Sequence, residues 1–174
     1  VELQGYAYDA LLYAAQLFPD KATKYKQLAS GVQQATLSRL WLPEVGFFAQ
    51  GLGVDTNGQE RLLDTLTSNA GLLLDSRLLA DLSQDKIKKY IEPTISMLMS
   101  PQFHTPAGLR CRAARHAHIP GFADYHGSYA VWPKETFAIA RGLERFGYQA
   151  EASQLHADIM HAVQQAGEFY EFFY

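Results

Sequence analysis

The sequence predicts an all-α fold, an array of antiparallel helical hairpins or part of a helical toroid, with a small β-hairpin excursion near residues 46–62. Three observations predict it. Apolar residues recur at helical spacing through most of the chain. Helix stops fall between those segments, notably Pro19-Asp20 and Gly147. The one strong hairpin signal is Asn57-Gly58, between the short runs "FFAQGL" and "ERLLD".

The elements follow in order. Residues 1–18 carry Leu3, Ala7, Ala10 or Leu11, Ala14 and Leu17 or Phe18 on a helical period. Residues 20–41 repeat the pattern through Tyr25, Leu28, Val32, Ala35 and Leu40, with Asp20 as N-cap. The short connection makes the two an antiparallel pair. Residues 42–62 are rich in glycine and turn signals. "LTSNAGLLLDSRLLA" returns to helix, capped by Thr67 or Ser68. "SQDKIKKYIEPTISMLMS" is a fourth helix, started by Ser83 and stressed at Pro93. Residues 100–130 form a long loop-rich segment, a length that inside a compact domain is often functional. "WPKETFAIARGLERFG" is a fifth helix, with Pro133 in its first turn and Gly147 as its stop. "YQAEASQLHADIMHAVQQAG" is a sixth, and the last seven residues, "EFYEFFY", are aromatic and acidic.

Composition narrows the function classes. The 174 residues suffice for a single domain with its own core. Charged residues make up 19% and hydrophobic residues 48%, so the chain is globular and not disordered. No apolar run approaches the roughly 18 residues that span a bilayer. Net charge is −3 and no basic stripe is sustained, which argues against nucleic acid as a partner. Cys111 stands alone, so neither an internal disulfide nor a multi-cysteine zinc site can form. A lone cysteine is compatible with a reducing compartment, and the expected location is the cytoplasm. His116 and His118 are spaced i,i+2 with His104 nearby, but no HExxH motif accompanies them and a loop histidine pair is the simpler reading. No phosphate-binding glycine loop or nucleophile elbow is present. No cofactor or metal is called for. The excess is aromatic: 10 Tyr, 10 Phe and 2 Trp. Such rings fill cores, and Tyr and Trp also line sugar sites.

Five segments, in order, resemble one family: "VELQGYAYDAL", "GFFAQGLGVDTNG", "LDTLTSNAG", "YHGSYAVWPKETFAIARGL" and "EFYEFFY". They are similar to the catalytic domain of bacterial amylo-α-1,6-glucosidase-like glycoside hydrolases of the debranching-enzyme type. The resemblance implies an (α/α)6 toroid of about twelve helices, of which this chain is the C-terminal half and so a fragment of a larger catalytic domain. It implies an oligosaccharide substrate and an inverting reaction on α-glucosidic or related bonds. The general acid is then expected in a segment before Val1. The general base is expected at Glu171 in "YEFF", with Glu168 in "GEFY" as the alternative. An aromatic wall around Glu171 would desolvate it. Glu2, Gln4 and Tyr8 are implied to line the sugar region, Arg110 to match a recognition loop, and His126, Trp132 and Glu135 to face the sugar at the barrel mouth. Glu135 replaces the family's usual aspartate, and Tyr170 the proline before the base. Read without the resemblance, Glu135 could equally serve the dipole of its helix, Trp132 a helix-start anchor, Glu171 a chain-end carboxylate and Arg110 a surface charge. A non-catalytic α-hairpin module that binds sugar or protein is the alternative function. A half toroid exposes large apolar faces and is expected to self-associate through them.

Overall fold

The computed structural model describes residues 1–80, 82–116 and 129–174. Two helical hairpins frame it. α1 (Glu2–Leu17) and α2 (Ala22–Arg39) pack antiparallel across the 3-10 turn Pro19–Lys21, where Pro19 ends one helix and begins the link. Near the other end, α6 (Pro133–Arg145) and α7 (Gln149–Ala166) form the second hairpin. Gly147 turns the corner at φ +84°, and Gly167 closes α7 at φ +80°, a left-handed conformation that costs glycine nothing.

Between the hairpins the predicted third and fourth helices take tighter and looser windings. Ser68–Asp75 is 3-10, followed by the short α3 (Arg77–Ala80). Most of Ser68–Asp75 is buried, so its residues pack on several sides and an amphipathic period has nothing to select. The next helix runs as α4 (Gln84–Lys86), a π turn (Ile87–Ile91) and α5 (Glu92–Leu98). Pro93 explains the π turn: it brings no N–H, and its ring crowds the carbonyl one turn back.

Strands are short and paired two by two. β1 (Trp41–Leu42) pairs with β2 (Phe47–Phe48), and β3 (Gly51–Val54) with β4 (Glu60–Leu63). The second pair is the expected hairpin. Asp55 Oδ1 accepts from the backbone N–H of Asn57 and Gln59, and Gly58 sits at φ +77°. β5 (His104–Thr105) and β6 (Gly108–Leu109) make a third pair within the loop-rich segment.

The core joins Leu73, Leu74, Leu78 and Leu79 to Ile91, Leu98, Phe103, Ile139 and Leu143, all fully buried. α6 lies directly on the 3-10 segment. A Cβ placed on Gly142 would stand 2.6–2.8 Å from Leu74 Cβ, the Leu74 carbonyl carbon and the Asp75 nitrogen. One side of α1 is open to solvent, with Leu3, Tyr6, Tyr13 and Leu17 all exposed.

Candidate active site

The site is assembled by a ladder of antiparallel contacts that joins four distant segments. Leu66–Ser68 bonds to the stretch around Arg112: Ser68 N–H donates to Cys111 O (3.0 Å) and Ala113 N–H to Leu66 O (3.0 Å). Cys111 N–H donates to Ala130 O (2.8 Å), and Arg110 pairs with Val131. Val131 in turn exchanges both backbone hydrogen bonds with Phe173, at 2.8 and 2.9 Å. His116 locks the first rung, since its Nδ1 accepts from Leu66 N–H at 3.0 Å. Burial and the neighbouring Arg115 lower its pKa and keep that nitrogen free to accept.

This ladder fixes the aromatic tail. The residues from Tyr170 to Phe173 lie against the start of α6, where the Trp132 and Phe172 rings meet at 5.2 Å. Trp132, Pro133, Lys134, Glu135, Tyr170 and Glu171 then line one cleft of about 330 Å³. Glu171 stands exposed at its rim, not enclosed by the rings as expected. Glu168 is also exposed and accepts from Tyr170 Oη.

Of the two carboxyl groups that line this cleft, Glu135 has the built environment. It is the third residue of α6, the position a helix dipole favours. Yet it also turns to Ser68, whose almost fully buried hydroxyl donates to Glu135 Oε2 at 3.3 Å. Burial raises its pKa above the ordinary carboxylate value. The Glu2 carboxylate raises it further, and the Ser68 hydroxyl and Lys134 oppose the shift. Glu2 is itself held from the start of α1 by Asn69 Nδ2, which donates to Glu2 Oε2. Tyr6 belongs to the same group: burial, then Glu2, Glu135 and Asp75, raise its phenol.

The remaining sequence-predicted residues lie elsewhere. Gln4 lines a separate depression with Arg39 and Leu52, between α1, α2 and β3. Tyr8 is buried in the core at 7% exposure. Arg110 lines another groove with Val131 and Phe173, beside the cleft and not in it. His126 and His118 lie outside the described residues. His104 pairs with the buried Asp158 at 2.7 Å, and among the described residues no cluster of three or more His, Cys, Asp or Glu side chains is placed to hold a metal ion. No described helix is long and apolar enough to cross a membrane. The sequence reading missed Ser68 and Asn69 as partners. Their signal was two polar residues at the head of an otherwise buried run.

A model of the mannosylglycerate hydrolase MGH1-like glycoside hydrolase domain matches residues 3–174. The chain belongs to this glycoside hydrolase family. Solved structures agree on the fold. A sialidase superposes with a TM-score of 0.74 at 14% identity, covering 98% of this chain and 16% of the other. The neutral trehalase Nth1 from Saccharomyces cerevisiae gives 0.73 at 14% identity, covering 98% of this chain and 33% of the other. The glycoside hydrolase domain thus has the helical-hairpin architecture of the α/α toroids and spans a third or less of these two structures. No curated protein matches it. The amylo-α-1,6-glucosidase-like subtype is a finer assignment than the MGH1-like family match makes.

The Glu135 environment in this glycoside hydrolase domain has a measurable signature. A carboxyl whose folded-state pKa is raised binds its proton more tightly in the native state. Its contribution to stability is therefore complete below the unfolded-state pKa and is lost as pH rises through the raised folded value. Glu135→Gln removes that loss. The variant is expected to be more stable than the parent at neutral pH, with the advantage fading as pH falls toward the ordinary carboxylate range. Urea unfolding at several pH values would measure this, and an advantage that grows on acidification would refute it.

Proposed function

We propose that this chain supplies the general base and one wall of the substrate cleft of an inverting glycosidase. Its substrate is an oligosaccharide with an α-glucosidic or related bond, of the kind an amylo-α-1,6-glucosidase-like enzyme cleaves. What supports this reading is the cleft in which Glu171, Glu135 and Trp132 come together within a glycoside hydrolase family.

The roles follow from the chemistry. Glu171, at the open rim, draws a proton from a water that attacks the anomeric carbon. Inversion needs the two carboxyl groups roughly 6.5–9.5 Å apart, so that the water fits between the base and the sugar. The acid that protonates the leaving oxygen comes from sequence outside these residues. Trp132 offers a flat apolar face to the sugar ring. Glu135 and Glu2 accept hydrogen bonds from its hydroxyls, with Ser68 and Asn69 holding them in place.

The test is hydrolysis by the natural polypeptide of maltose, isomaltose and mannosylglycerate, the compound for which the family is named. The product anomer is read by proton NMR before mutarotation. Release of the β-anomer from an α-glucoside is the expected result. Release of the α-anomer would overturn the inverting mechanism. Release from mannosylglycerate alone would overturn the glucoside assignment, and no release from any of the three would overturn both.

A further inference from the structure

Near the carboxylate cleft lies a second groove of about 550 Å³, which shares the C-terminal aromatic segment as a wall. Its size falls within the range that takes a small organic ligand. Ala162 and Ala166 of α7 form a shallow floor, and Val131 and Phe173 form a wall. Arg110 faces the same space, its guanidinium 5.7 Å from the Tyr129 ring centroid. Among the described residues no carboxylate lies within ion-pair distance of the guanidinium, and its Nε is buried without a hydrogen-bond partner. A buried, unsatisfied donor on a permanently charged group is costly, and native structures rarely leave one unexplained.

The ring and the alanine floor form one half of the groove and the guanidinium, with its unsatisfied Nε, the other. One side wants an apolar body, the other a planar anion that can accept two parallel hydrogen bonds. We propose that this groove is a binding site, distinct from the sugar cleft, for a small carboxylate carried on an apolar aryl or alkyl body. The carboxylate pairs with Arg110, and the body lies between Phe173 and the Ala162–Ala166 floor. The inference does not depend on the hydrolytic reading.

Calorimetric titration with 4-phenylbutanoate tests it, with 4-phenylbutanol as the neutral counterpart. The expected result is binding at one site, with the alcohol weaker by about tenfold or more. Arg110→Gln should weaken the carboxylate by a similar factor and leave the alcohol unchanged, with Arg110→Lys intermediate because it keeps the charge but not the fork. Ala166→Trp, at an exposed position on the groove floor, should remove binding of both while circular dichroism is unchanged. Saturating maltose should not compete. The proposal falls if 4-phenylbutanoate fails to bind at about 10 mM, if the alcohol binds as well as the acid, if either the Gln or the Trp variant binds like the parent, or if maltose displaces the ligand.

Discussion

Glu171→Gln is expected to lower kcat by about 10²–10⁴-fold on whichever glycoside the enzyme cleaves, the range typical for loss of a general base. KM should change little, because the amide keeps the size and hydrogen-bonding reach of the carboxylate at the cleft rim. Glu168→Gln is the control that gives this meaning. Glu168 does not line the cleft with Glu135, and its carboxylate accepts from the Tyr170 hydroxyl. Its loss should cost far less, chiefly by freeing Tyr170. The two variants differ by three positions in sequence and share an exposed surface, so a general disturbance of the tail would affect both alike. If Glu168→Gln proves the inactive one, the base is Glu168 and the assignment to Glu171 is wrong. Azide supplies a further readout, since an exogenous anion placed in the space of a lost base can restore turnover. Rescue should follow the base and not its neighbour.

Gly142→Ala is expected to destabilise the fold by about 3 kcal/mol or more, the upper end of what overpacking costs. The reason is the surface it meets. Of the three nearest atoms, two belong to the backbone, the Leu74 carbonyl carbon at 2.7 Å and the Asp75 nitrogen at 2.8 Å. No side-chain rotation relieves those contacts. α6 would have to lift from the 3-10 segment, and the packing of Ile139 and Leu143 would loosen with it. Gly31 is the matched comparison. It also lies inside a helix, but a Cβ there meets nothing within 4 Å. Gly31→Ala should therefore stabilise by roughly 0.5–1 kcal/mol through helix propensity and a less flexible unfolded chain. Urea denaturation of the two variants should give shifts of opposite sign. Equal shifts would mean that the close approach of α6 is not what fixes this packing.

The same two glycines show what the sequence could and could not convey. α1, α2, α6 and α7 were legible because each carries an amphipathic period and a recognisable stop, such as Pro19 or Gly147. The 3-10 winding of Ser68–Asp75 was not. Its burial on several sides comes from α6 and α5 packing against it, a property of neighbours that lie far along the chain. Pro93 announced a disturbance, but whether it would break, kink or widen the helix depended on how Ile91 and Leu98 reach the core. In the site, the approach of Glu171 to Glu135 depends on Val131 meeting Phe173, a pairing of single residues that leaves no periodic trace. Glu135 itself stood out as an acid in a first turn. That Ser68 would answer it, and Asn69 would answer Glu2, required the two polar residues to be seen beside partners 67 positions away.

The rung between Val131 and Phe173 has a consequence for how the molecule fails. It consists of two backbone hydrogen bonds, with the Trp132–Phe172 ring contact beside them. The helical hairpins, by contrast, are held by a shared interior. Local opening of such a rung can need far less free energy than global unfolding. Opening of this rung would part Glu171 from Glu135 while α6 and the leucines beneath it stay folded. With Glu171 in the proposed role of base, activity is expected to be lost at a lower temperature than the far-UV circular dichroism of the helices.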